Sequence, residues 1–250
     1  MIKSSGGMGM LLAAEKIVCV VLVFIAGTIV FSYLNIVIRE LPREEEEKSF
    51  WTRLKKGRRA KMSRRDIIID ILGGFLAMIS VLYYGISFSA LTVFFVFCVL
   101  VVIAFIDMET QYIPPELNVI LALLGVLSVW TLPGVSILER LAGAFCISVP
   151  LILIVLLIPG GFGGGDIKMM AASGILLGWK GNVAAFFIAL VLGGFYGIYL
   201  LASKKKGGKD HFAFGPFLSI GIAVSLYADV GTLILNRYME MLAGFINLSQ

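Results

Sequence analysis

The chain has 250 residues, 59% of them hydrophobic, with a mean hydropathy of +0.98 and only 15% charged. A water-soluble domain cannot bury that much apolar surface, so the composition predicts an integral membrane protein with several spans. The net charge of +5 is no sign of nucleic-acid binding, because 11 of the 21 Lys and Arg residues lie between Arg39 and Arg65.

The first apolar run, 17–37, lacks a small-x-small cleavage pattern and continues into "SYLNIVIRELP". It reads as a retained span rather than a signal peptide. The loop 38–66 follows, with "EEEE" at 44–47 and "RLKKGRRAKMSRR" at 53–65. Its simplest reading is a solvated loop that sets topology, its basic part resting on anionic lipid headgroups. A specific partner is the alternative, and the acidic run would suit a basic peptide.

A span needs about 20 apolar residues. Further candidates are 67–87, 89–106, 117–131, 137–158, 167–178, 182–202 and 212–228, which predicts an all-α fold of eight membrane helices. "TLPG" at 131–134 separates the fourth from the fifth, and the sixth is short. Residues 230–248 suit an interfacial segment. Cys19, Cys98 and Cys146 each sit alone in apolar runs and His211 is the single histidine, so neither a disulfide framework nor a metal site is expected.

Orientation follows from charge, since basic loops stay in the cytoplasm. Loop 38–66 carries 11 basic and 6 acidic residues, which puts it in the cytoplasm and the N-terminus outside. Counting spans forward puts "SKKKGGKDH" (203–211), with its four lysines, on the same side. The same parity makes 108–116 and 160–166 cytoplasmic.

Ionisable groups near membrane level are costly and suggest function. The acidic residues read as lying near that level are Asp70, Asp107, Glu109, Glu116 and Asp166. Asp66 and Asp70 are one helical turn apart and are expected to be interfacial or to pair with Arg64 or Arg65. Asp107 ends the third span, ahead of Pro114-Pro115, a pair that stops a helix. Asp166 ends the run "GGFGGGD". The two are 59 positions apart (166 − 107), yet the topology puts both at one face and similar depth. Close carboxylates in a site of low dielectric would share one proton, one acting as base on a water while the other polarises a carbonyl. That is the chemistry of aspartic proteolysis. Gly163 and Gly165 can adopt positive φ and admit an extended substrate backbone. The alternative is a tight turn in which Asp166 caps the following helix. The spacing to Lys168 does not fit a phosphate-binding P-loop.

Four segments together resemble the type IV prepilin peptidases, membrane aspartic proteases with a GxGD motif. They are "GGGDIKMMAASGILLG" (163–178), "AFIDMETQYIPPELNV" (104–119), "FAFGPFLSIG" (212–221) and "SYLNIVIRELP" (32–42), in family order. The resemblance implies Asp107 and Asp166 as the catalytic pair. Gly163, Gly165, Lys168, Pro114, Gly215 and Pro216 would support motif and substrate. Residues 67–228 would form the peptidase core, 1–66 the counterpart of the family's methyltransferase region with Asn35 and Arg39, and 229–250 a C-terminal interfacial segment. The substrate would be a prepilin or pseudopilin of a type IV pilus or type II secretion system, cut beside its basic leader at the cytoplasmic face of a bacterial inner membrane. Proteolysis would need no cofactor; methylation would use S-adenosylmethionine. Loop 38–66 contains no cysteine, so the zinc-binding CxxC pairs of many members are absent. Two other classes compete: an ion- or proton-coupled transporter using the same aspartates, and a non-catalytic pilus or secretion assembly factor.

Overall fold

The computed structural model describes residues 5–40, 63–158, 162–203 and 212–227. Most of the charged loop including the acidic run, the lysine-rich stretch through His211, Asp229 and the segment 230–248 lie outside the described residues. The described regular structure is all α-helical: α1 (Ser5–Glu40), α2 (Arg64–Tyr84), α3 (Phe88–Thr110), α4 (Pro115–Thr131), α5 (Ile137–Cys146), α6 (Ser148–Leu157), α7 (Gly164–Ala202) and α8 (Gly215–Tyr227). Among the described residues, each apolar stretch expected from the sequence lies mostly on helix. Five stretches among the described residues are long and apolar enough to cross a membrane: Ile17–Arg39, Arg64–Tyr84, Phe88–Thr110, Ile137–Leu157 and Gly164–Leu200. Large apolar side chains point outward along them, Leu22, Phe75 and Phe187 for example. A contiguous apolar exterior of that kind suits lipid rather than water.

The chain divides into two compact units, Met1–Phe94 and Phe95–Gln250. In the first, α1 and α2 pack closely because small residues face each other. A Cβ on Gly27 would lie 2.6 Å from the Ala77 Cβ, and the Phe31 ring fills the space that a side chain at Gly73 would need. Phe24 meets Phe75 edge to face, centroids 5.3 Å apart.

In the second unit α7 is the centre, with α4, α5 and α8 against it. Its core holds Leu100, Ile103, Ile106, Leu121, Met169, Met170, Leu176 and Leu218. α7 is not one rod. A straight helix would carry residue 186 about 33 Å from residue 164. Yet the Phe186 ring lies 6.3 Å from that of Phe162, just ahead of the helix. The chain folds double at Gly178, whose φ of 70° and ψ of 176° interrupt the helix. A side chain is strained at that φ, and a Cβ there would also lie 2.6 Å from Val135 Cγ1. Asn182 ties the two arms together: Nδ2 donates to Met170 O (3.0 Å) and Oδ1 accepts from Ser173 Oγ (2.8 Å). Asn182 Nδ2 also donates to Gly143 O on α5 (2.9 Å), where Gly143 and Gly174 bring two backbones into contact. α5 and α6 are separated at Ile147, because Pro150 has no N–H to offer the carbonyl of Cys146.

Arg140 is buried at the end of the bundle that holds the Gly178 bend. It has no carboxylate partner among the described contacts and donates only to oxygen dipoles. These are Ser128 Oγ (2.5 Å), Ser128 O (3.1 Å), Leu132 O (2.9 Å), Val135 O (3.2 Å), Ile175 O (2.9 Å) and Leu176 O (2.9 Å). Four of these are carbonyls near the C-terminal ends of α4 and of the first arm of α7. Carbonyls at helix ends carry negative dipole charge, and Ser128 O also accepts the N–H of Leu132 (2.8 Å), so one guanidinium staples two helix ends.

Candidate active site

Asp107 lies on the last turn of α3 and is 5% exposed. Its helix ends at Thr110 because Gln111 takes a left-handed φ of 53° and Pro114-Pro115 follow. Pro114 is extended (φ −56°, ψ 130°), as a residue before proline prefers, and Pro115 starts α4 at a position needing no N–H. Asp107 Oδ2 accepts the backbone N–H of Gly215, the first residue of α8, at 2.8 Å. The carboxylate thus sits on the positive end of a helix 108 residues downstream.

Asp166 is 9% exposed and lies in the first turn of α7. Its Oδ2 accepts the N–H of Gly163 at 3.3 Å, so it caps its own helix. The capping role weighed from the sequence is therefore real, and it leaves the other oxygen of the carboxylate uncommitted to that bond.

The two carboxylates are held in matching ways. Each accepts from a glycine N–H that follows a phenylalanine, Phe162-Gly163 in one case and Phe214-Gly215 in the other. The two phenylalanine rings meet, centroids 5.9 Å apart. Tyr196, Phe212 and Phe217 extend this aromatic wall, Tyr196 to Phe217 at 5.4 Å and Phe212 to Phe217 at 6.0 Å. The turn after Asp107 closes the third side. Ile113 packs on Gly165, and Asn118 Nδ2 donates to Gly165 O at 3.3 Å. Three turns that are distant in sequence, 111–114, 162–163 and 212–214, meet at one end of the second unit.

The positive φ expected at these glycines is absent. Neither Gly163 nor Gly165 has a positive φ; among the described glycines only Gly85 and Gly178 do. What matters is room. A Cβ on Gly163 would lie 2.9 Å from Asp166 Oδ2, and one on Gly215 2.8 Å from Asp107 Oδ2. A Cβ on Gly165 would lie 2.9 Å from Ile113 Cβ. The carboxylates and Ile113 occupy the space that side chains would fill.

The remaining sequence candidates separate. Pro114 is buried and Pro216 lies beside the Asp107 contact. Lys168 is exposed and makes no hydrogen bond or ion pair with Asp166 among the described residues. Glu109 and Glu116 are exposed. Asn35 and Arg39 belong to a polar cluster in the first unit. Asn35 Nδ2 donates to Asp70 Oδ1 (2.6 Å) and to Asp66 O (3.2 Å), while Arg39 forms an ion pair with Asp66. Asp66 also accepts the N–H of Ser63 (2.6 Å). Asp66 and Asp70 were expected to be interfacial or to pair with Arg64 or Arg65. Asn35 and Arg39 of α1 supply partners to them across the helix pair. The sequence reading passed over Phe162, Phe214, Asn118 and Arg140. Arg140, a lone cation inside an apolar run, carried a usable signal; the others did not.

Comparison with known proteins bears directly on this constellation. Residues 94–198 match the type IV leader peptidase family. The likeness read from the four motifs holds, and the matched stretch contains both Asp107 and Asp166. A prepilin leader peptidase/N-methyltransferase of Burkholderia pseudomallei is 30% identical over 174 residues, 68% of this chain and 56% of the relative's length. One of Bacillus subtilis is 28% identical over 162 residues, 64% of each chain. One of Neisseria gonorrhoeae is 30% identical over 168 residues, 64% of this chain and 56% of the relative. The alignments therefore span less than two thirds of these relatives. No solved structure gave a significant match.

Proposed function

We propose that the protein is an integral-membrane aspartic endopeptidase that removes the basic leader from prepilin-like substrates. The observation that carries this reading is the matched seating of Asp107 and Asp166, each on a glycine N–H, with the two turns in contact through Phe162 and Phe214. With one proton held between them, one carboxylate takes a proton from a water as it attacks the scissile carbonyl. The other donates its proton to the carbonyl oxygen, and the first then passes the proton it took from the water to the leaving amine as the C–N bond breaks, while the second recovers its proton from the hydroxyl that becomes the new carboxyl group. No side-chain nucleophile is required. The glycine-rich turn leaves backbone free of side chains beside the carboxylates, which suits an extended peptide.

The family match and the printed names of the relatives support prepilins as the substrate class. The basic clusters support an eight-span topology with the carboxylates at the cytoplasmic face, and the doubling back of α7 at Gly178 supports reading it as two adjacent passes. Both aspartates lie at helix ends rather than midway along helices, which favours a peptidase over a transporter, whose sites lie near the bilayer midplane. A second activity, N-methylation with S-adenosylmethionine, would fall to the unit containing Asn35 and Arg39.

The test is incubation of the purified protein in lipid with a prepilin-type substrate, with and without S-adenosylmethionine, read by mass spectrometry. Loss of the leader mass in the wild type, and its retention with Asp107→Asn or Asp166→Asn, is expected. Cleavage by either variant at the wild-type rate would remove the two-aspartate mechanism.

A further inference from the structure

Asn118 stands out because its place in the fold is poor for stability. It is the fourth residue of α4 and 5% exposed. Its Nδ2 donates to Gly165 O, the carbonyl immediately before Asp166. Its Oδ1 is fully buried and meets no donor among the described residues. A buried acceptor without a partner costs free energy, and an apolar side chain of similar shape avoids that cost. The single side-chain hydrogen bond that Asn118 makes among the described residues is to the turn bearing Asp166. Its own helix follows directly on the turn after Asp107, in which Ile113 packs on the same glycine.

We propose that Asn118 is a positioning residue. By holding the Gly165 carbonyl, it ties the first turn of α7 to the segment after Asp107 and sets the aim of the Asp166 carboxylate relative to Asp107. This rests on the peptidase reading for its catalytic consequence, but not for its structural one. Gly163 is coupled to the same turn, because its N–H is bound by Asp166 and its carbonyl accepts the N–H of Ile167 at 3.3 Å. Releasing Gly165 therefore loosens the whole turn. The chemistry depends on carboxylate aim, whereas substrate binding depends on the surrounding surface, so the effect should fall on kcat and spare KM.

The test uses Asn118→Leu and Asn118→Ala in the full chain in lipid. Expected for Asn118→Leu is a thermal midpoint equal to or above that of the wild type, with kcat per folded molecule lower by about 10- to 100-fold and KM little changed. Hydrogen exchange should quicken in peptides covering 162–168 and stay unchanged in 186–200, whether or not the protein cleaves the substrate offered. Asn118→Ala should reproduce the exchange pattern even if it costs stability. A lower midpoint with wild-type kcat per folded molecule, or unchanged exchange at 162–168 in both variants, would overturn the proposal. Faster exchange at 162–168 in the variants than in the wild type, with none of the three proteins cleaving the substrate, would retain the positioning role and defeat the peptidase reading instead.

Discussion

The carboxylate of Asp107 accepts the backbone N–H of Gly215 at 2.8 Å, and no side chain can be added at Gly215 without entering that contact. The same relationship repeats between Asp166 and Gly163. A hydrogen bond from a helix N-terminus both orients a carboxylate and leaves its second oxygen for other work. Several consequences can be measured.

Asp107→Asn and Asp166→Asn remove the base or the acid while keeping size and shape. Leader cleavage should fall by about 10²- to 10⁴-fold or more in each, the span that general acid–base catalysis supplies. Thermal midpoints should stay near that of the wild type. Cleavage assays on folded, monodisperse protein check both.

The three consecutive glycines at 163–165 should differ sharply in tolerance. Gly163→Ala drives a Cβ toward the Asp166 carboxylate and Gly165→Ala drives one toward Ile113, whereas a Cβ on Gly164 meets nothing within 4 Å. Misplacement of a reacting group by about an ångström can cost about 100-fold. Gly163→Ala, Gly165→Ala and Gly215→Ala should each lose much of kcat, and Gly164→Ala should keep it. Equal loss at all three positions would mean that the run serves flexibility rather than clearance.

Arg140→Leu should destabilise the second unit without touching the chemistry. It strips donors from carbonyls near two helix ends, at about 1–3 kcal/mol for each polar group left buried and unpaired. We expect a loss of about 2–5 kcal/mol in unfolding free energy, with kcat of the remaining folded protein unchanged. Denaturant titration in mild detergent gives the first quantity and an assay normalised to folded protein the second.

In the first unit, Asn35→Leu leaves Asp70 buried without its 2.6 Å donor, so α1 and α2 should separate more easily. Asp70→Asn should be much milder, and the double substitution should recover part of the loss. A thermodynamic cycle over the four proteins measures the coupling, expected at about 1–3 kcal/mol for a hydrogen bond to a charged group. A coupling near zero would show that the pair is incidental.

Membrane class, helical content and the approximate limits of the apolar segments were legible from hydropathy alone, because each depends on composition within a window of about 20 residues. So were the candidate aspartates, since a carboxylate at the end of an apolar run is conspicuous wherever the chain goes next. Pro114-Pro115 announced the break after α3 for a local steric reason. Only tertiary structure decided the rest. Asp107 finds its donor 108 residues away, Arg39 and Asn35 reach across to Asp66 and Asp70, and Gly165 meets Ile113 and Asn118. None of these pairings has a periodicity that a window can detect. The bend at Gly178 is the sharpest case: its glycine resembles every other glycine in the chain until packing against Val135 and the return of Phe186 to Phe162 require the left-handed backbone. Sequence carries what is local, which is polarity and stiffness. Which oxygen meets which N–H depends on helices arriving together in three dimensions.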